Sequence, residues 1–342
     1  MNRKSERLPC LDLSGSITIH RDSIGTAGSF NKPSVVLVIV LSFLLVSCAL
    51  GKPAKQIPQH LSAGGRQMKN GLEWYQKGCY RQSLEYFFRA YELYSASDLL
   101  DGVAMSLNNI GTIYRITGNY EEAVSFFDES YAIYSYLNDQ EGAVKALSNK
   151  AAAFIHAGKL DKAEQLLEET TKVLSADGDE RLPIPMLQNK GVLLTKRGSY
   201  EAAEKVLASC LDQAGSLDPM GMASLHFAFG NLMLETGKTA DAIASFEKAL
   251  SIDRELGFYK GMADDLFSMG QAYVRLGQDE KAVRSWKRSA KIFALIDQAP
   301  ELHETMKLLR EAAQKVGVDI SVTEAFVERW RQGRLYESPC RN

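Results

Sequence analysis

A glycine returns along this chain at a near-constant interval. It stands at Gly71, Gly111, Gly191, Gly230 and Gly270, with Ala151 at the third station, so the steps are 40, 40, 40, 39 and 40 residues. A second glycine follows each station by seven residues, at Gly78, Gly118, Gly158, Gly198, Gly237 and Gly277. Five residues on comes a small side chain (Ser83, Ala123, Ala163, Ala203, Ala242, Ala282), and four beyond it a bulky one (Phe87, Phe127, Leu167, Leu207, Phe246, Trp286). Six matched copies argue against one closed core and for an array that grows by stacking. The length of 342 residues is therefore no guide to domain count.

Each station has a physical reading. A glycine inside a helix costs up to about 1 kcal/mol against alanine; a cost carried five times implies close approach of two helices. The second glycine ends the first helix of each pair, where a left-handed residue turns the chain. The small residue faces the partner helix, where a larger one would wedge the pair apart. The bulky residue is expected to fill the space between neighbouring repeats. Pro183, Pro185 and Pro219 fall where helices should break.

This pattern resembles the tetratricopeptide repeat (TPR) family. The usual period of that family is 34; a period near 40 resembles the extended repeats of kinesin light chain and the Pins-type spindle-orientation adaptors. The resemblance implies an all-α fold, a right-handed α-solenoid superhelix. Residues 63–298 would form six helix-turn-helix repeats, and 299–342 a C-terminal capping helix and tail. ELHETMKLLREAAQKVG, after Pro300, has the apolar stripe of such a cap. Val322 to Arg331 can form one more short helix, and YESPCRN reads as a loose end.

The amino-terminal part differs. Residues 1–33 are polar and irregular, whereas Val35 to Leu50 is apolar but for Ser42, Ser47 and Cys48. That run is short for a bilayer-spanning helix and suits the core of a secretory signal. Leu45-Val46-Ser47-Cys48 resembles the lipobox of bacterial lipoproteins. The resemblance implies that the Cys48 thiol takes a diacylglycerol, that 1–47 is removed as the extension and signal, and that the new terminus is acylated. At about 0.8 kcal/mol per buried methylene, two or three acyl chains hold a protein stably. A plain transmembrane anchor ending near a cysteine is the alternative. A signal of this length exceeds the usual 15–30 residues, which places a translation start downstream of Met1 among the expectations. Residues 48–62, with two prolines and two lysines, read as a tether. The expected location is the bacterial cell envelope, lipid-anchored. Ala49 after the cysteine, not Asp, favours the outer membrane with the array facing the periplasm; a Gram-positive source would put it outside the cytoplasmic membrane.

No catalytic constellation is present. The chain lacks a phosphate-binding glycine loop followed by Lys and Ser/Thr, an HExxH and a GxSxG. Its five histidines are scattered and its five cysteines form no CxxC. The reading is a non-enzyme without cofactor or metal. A net charge of −2 without a basic block offers no footprint for nucleic acid. His226 stands where other repeats carry Leu and reads as a packed helix residue, while His156 falls near the inner face. Cys79 and Cys210 lie three repeats apart in an array whose units touch only neighbours, so free thiols are expected; a bridge between molecules through Cys340 stays open.

The sharpest functional signal is Asn109, Asn149 and Asn189, spaced by 40 and two residues before the helix station. In kinesin light chain and Pins-type arrays an asparagine at this place forms a ladder that holds the backbone of an extended peptide, so the resemblance implies that role here. A primary amide suits it by offering donor and acceptor together. Thr112 shares that face. The ladder lapses at Ala228 and Ser268, with Asn231 and Gln271 three residues further on. The reading that follows is a membrane-anchored interaction scaffold, in envelope assembly or a secretion or pilus-type machine, binding extended or helical segments of other proteins. The alternative is a regulatory sensor with a closed pocket for a peptide or ligand.

Overall fold

The computed structural model describes residues 59–340 except 177–181, 214, 216 and 336. Cys48, the apolar run and most of the tether lie outside the described residues. Fourteen helices and no strand occur among those described. They pair in chain order. Repeat 1 is α1 (Gln59–Gln76) with α2 (Tyr80–Ala96), and repeat 2 is α3 (Leu100–Ile116) with α4 (Tyr120–Tyr136). Repeat 3 is α5 (Gln140–His156) with α6 (Leu160–Ala176), and repeat 4 is α7 (Ile184–Lys196) with α8 (Tyr200–Asp212). Repeat 5 is α9 (Pro219–Glu235) with α10 (Thr239–Leu256), and repeat 6 is α11 (Tyr259–Arg275) with α12 (Asp279–Leu295). A final pair follows, α13 (Ala299–Val316) and α14 (Ser321–Arg331). The first helix starts at Gln59, so the last residues read as tether are helical.

Each station does what its chemistry predicts, with one correction. A methyl at Gly111 would stand 2.7 Å from the Phe127 ring, and one at Gly230 2.6 Å from Phe246. The bulky residue therefore rests on the glycine of its own repeat instead of lying primarily between repeats. Ser83, Ala123, Ala163, Ala203, Ala242 and Ala282 are fully buried. The second glycines have φ from +69° to +84°. Asn119 N donates to Tyr114 O and Gly118 N to Arg115 O, the paired bonds that close a helix end on a left-handed residue.

The turn between repeats has its own period, which the glycine pattern hides. Asp98, Asn138, Gly257 and Asp297 all take positive φ. Asp and Asn tolerate that region better than most side chains. The prolines open helices instead of merely separating them: Pro219 is the first residue of α9, and Pro300 the second of α13. Gly317, 40 residues after Gly277, repeats its left-handed turn at φ +68°. The cap is thus a degenerate seventh hairpin, with α13 followed by the short helix α14 over the stretch where Val322 to Arg331 is expected to form one.

The array curls until its ends meet. Cys79, in the turn of repeat 1, is joined to Cys340 by a disulfide. Gln82 Nε2 donates to Cys340 O. Tyr75 stacks on Phe258 with ring centroids 5.9 Å apart, and a methyl at Gly78 would stand 3.0 Å from Ile296. Three expectations are corrected here. Units do touch beyond their neighbours, Cys79 is not a free thiol, and the tail is tied down. Cys210 is the free cysteine among the described residues, buried in the core of repeats 4 and 5.

Candidate functional site

First helices face the inside of the curl, and they wall a cavity of about 590 Å³. One wall comes from α1, α3 and α5, the other from α9, the end of α10 and the start of α11. Asn109, Thr112 and Asn149 meet on the first wall; Asn189, Asn231 and Gln271 are not part of the lining. Leu72, Met220 and Phe227 are apolar first-helix residues that line this cavity, while Met105 is exposed outside it.

The asparagine amides already have partners. Asn109 Nδ2 donates to Met105 O at 3.0 Å and to Met68 Sδ at 3.3 Å. Asn149 Nδ2 donates to Asn108 Oδ1 at 3.0 Å. Asn189 Nδ2 donates to Ser148 O at 2.7 Å and Ser148 Oγ at 3.0 Å. Bonds to Met68, Asn108 and Ser148 each reach 41 residues back, into the preceding repeat. The ladder is therefore a set of ties between repeats, whatever else it holds.

The opposite wall carries carboxylates. Asp264 takes Lys260 Nζ on both oxygens, at 2.6 and 2.8 Å, and Glu301 lies 3.5 Å from the same ammonium. Asp253 and Asp265 are 4% and 1% exposed. Asp253 Oδ1 and Asp265 Oδ2 have no hydrogen-bond partner. Desolvation, reinforced by Asp264, pushes the Asp253 carboxyl up to about 7. Desolvation, then Asp253 and Asp264, push Asp265 up to about 9. Across the cavity, Arg115 has a buried Nε without a partner. Burial lowers its pKa against the pull of Tyr75, Tyr80 and Tyr120. His156 is exposed at the surface, yet partial desolvation, then the charges of Arg115, Lys196 and Lys260, push it down to about 4. His226 is half-buried, and its pKa falls through burial and Lys248.

Among the described residues no three His, Cys, Asp or Glu side chains are placed to hold a metal ion. Nor is any described helix long and apolar enough to cross a membrane. Two buried carboxyl oxygens without partners on one wall, facing amides and a guanidinium on the other, make a site that can take a cation at one side and peptide-like polar groups at the other. The acid pair was missed from the sequence, although its register was visible there. Asp265 occupies the station of Ser106, Ala146, Met186 and Leu225, all fully buried.

Two family models match, both described as tetratricopeptide repeat, over residues 73–135 and 223–256. No curated relative matches the sequence. Solved structures do. The Rap conjugation gene regulator of plasmid pLS20, in complex with the Phr* peptide, is 15% identical, with 91% of this chain and 89% of that one covered and a TM-score of 0.52. A Rap protein complexed with competence and sporulation factor is 14% identical over 80% of this chain and 97% of that one, TM-score 0.49. BtubC from P. vanneervenii is 20% identical over 69% and 92%, TM-score 0.44. The chain carries tetratricopeptide repeats, and with them it builds an all-α superhelix.

Proposed function

We propose that this protein is a lipid-anchored, non-enzymatic receptor for segments of other proteins, binding them in the channel of its superhelix in the bacterial envelope. The observation that carries the reading is the channel itself. One wall presents Asn109, Thr112 and Asn149, and the other buried carboxyls without partners. A buried polar group left unpaired costs about 1–3 kcal/mol, and a bound segment would recover that. The Rap regulator of pLS20 holds a peptide in a fold of the same class; this supports a peptide ligand at the level of architecture alone. The location rests on Cys48 and its lipobox-like context. The Cys79–Cys340 bridge supports an oxidising compartment such as the envelope, since cytosolic disulfides are rare.

A second reading, a sensor that transmits ligand binding as a change of curvature, is favoured by the closure of repeat 1 on the tail. An adaptor that wraps long partners would leave that groove open. A photo-crosslinking side chain in place of Thr112, in intact envelopes, tests the shared core of both readings. It should capture a protein or peptide that the same group at Tyr136, 76% exposed, does not. Capture at Tyr136 with none at Thr112 would remove the channel from the proposal. Cys48→Ser should abolish acylation and release the protein from the membrane fraction. A variant that stays in the membrane would instead indicate a transmembrane anchor.

A further inference from the structure

Two carboxyls stand at packing stations of the repeat. In repeats 1 and 2 the residue equivalent to Asp253 is Tyr94 and Tyr134. Their rings lie on Gly102 and Gly142 at the start of the next first helix. In repeat 6 the equivalent is Phe293, fully buried. In repeat 5 the place of a ring is taken by Asp253, whose Oδ2 lies against Gly261 while Oδ1 stays unpaired. Asp265 likewise replaces the buried Ser, Ala, Met or Leu of four other repeats. The array therefore has an uncharged solution at both stations and does not use it here.

A carboxyl in a core station without a partner costs stability and contributes no packing in return. Local cation supply does not resolve it. Lys260 is engaged by Asp264 and Glu301, and Asp253 and Asp265 have no ion pair with it. Arg115 lies on the opposite wall. Both aspartates line the same channel, next to Phe258 and Asp264. Access from water, burial of the oxygens and lack of a partner coincide at one place.

We infer that Asp253 and Asp265 form a subsite for a cationic side chain, the ammonium or guanidinium of a lysine or arginine in the bound segment. This rests on the reading of the channel as a receptor for protein segments. The cation displaces to solvent the protons that burial keeps on the pair and replaces the missing partner, and three or more N–H donors can serve both carboxylates at once. The neighbouring Lys260–Asp264 pair sets its limit: a second carboxylate from the ligand would meet a wall already rich in acid. The asparagine wall is left to contact the backbone of the segment. Selection of the segment by its charge thus falls to the repeat 5–6 junction.

The test is retention of a pentapeptide library by the full chain in detergent, with the central position fixed in turn as Lys, Arg, Gln, Leu or Glu and its flanks randomised, read by mass spectrometry. The Lys and Arg pools should exceed the Gln and Leu pools by about tenfold or more, with Glu lowest. Acetyl-lysine in the Lys pool should abolish the gain. Asp253→Asn and Asp265→Asn, singly and together, should erase the preference while Tm stays unchanged or rises. A merely structural role would lower Tm and leave the preference intact. Peptides retained without preference for a cation would overturn the subsite and leave the receptor reading standing. No retention of any pool would overturn both.

Discussion

Gly111 shows how much one absent methyl fixes. Its Cα faces the Phe127 ring, and the Cβ of an alanine would stand 2.7 Å from it and 3.1 Å from Phe126 Cβ. The buried Phe127 ring, the partly buried Phe126 and a paired helix have to give, which costs about 1–3 kcal/mol. Gly111→Ala should lower the unfolding free energy read from a urea titration by that amount, and adding Phe127→Leu should recover part of it, since the two sites share one contact. This residue was legible because it recurs. The acid pair was not, because a single aspartate in a helix resembles surface charge until its register is compared with other repeats. Its energetics give a second prediction. Asp253 and Asp265 hold protons in the native state that an unfolded Asp, with a pKa near 3.9, has released. The native state thus binds more protons, and stability falls as pH rises above about 4, levelling off for Asp253 near 7 and for Asp265 near 9. His156 acts in the opposite sense. Held down at about 4, it withholds a proton that the unfolded chain takes up below about 6.5. Asp264, Glu301 and Lys260 beside the acids, and Arg115 and Lys196 beside the histidine, complete the charged surroundings. Between pH 7 and 9 Asp265 still holds a proton that the unfolded chain has released, without opposition from His156, so Tm should fall across that window. The slope should flatten in Asp253→Asn/Asp265→Asn; an equal slope in that variant would assign it to other groups.

At the scale of helices the asparagine ladder changes meaning. Asn149 and Asn189 sit on first helices of repeats 3 and 4, and their amides tie each helix to the repeat before it. A net hydrogen bond of this kind contributes about 0.5–1.5 kcal/mol. Replacing Asn109, Asn149 and Asn189 together with Ala should therefore lower stability measurably in a urea titration, beyond what a solvated face would lose. Weaker binding by that variant has to be judged against its own folded fraction. The helix pairs themselves were readable from the sequence, since turn glycine, small residue and bulky residue are local and repeated. The turns between repeats were not. Asp98, Asn138, Gly257 and Asp297 share a left-handed backbone but not a residue type, so a pattern of identities passes over them. Gly317 did carry the signal for a seventh hairpin, and Phe326 keeps the bulky station, but Arg310 and Val322 stand where the helix glycine and the small residue stand elsewhere.

The closure of the array belongs to the whole molecule. Each repeat rotates slightly on the last, and only the accumulated rotation decides whether repeat 1 meets the tail. No motif encodes that sum, which is why Cys79 and Cys340, 261 residues apart, read as unrelated thiols. Once joined, the ends act as a clasp. Tyr75 on Phe258 and Gly78 against Ile296 bury the seam beside the bridge, and the seam adjoins the carboxyl wall through Phe258 and Lys260. A cross-link closing so long a loop constrains the unfolded chain strongly, typically by about 2–5 kcal/mol in measured cases. Cys79→Ser should therefore lower Tm by several degrees, and wild type treated with dithiothreitol should fall to the same value while the variant does not respond. Small-angle scattering separates two routes to that loss. If the bridge only restrains the unfolded state, the reduced native protein keeps its radius of gyration. If the clasp holds curvature, the reduced protein expands, and the channel between the asparagine and carboxyl walls opens with it.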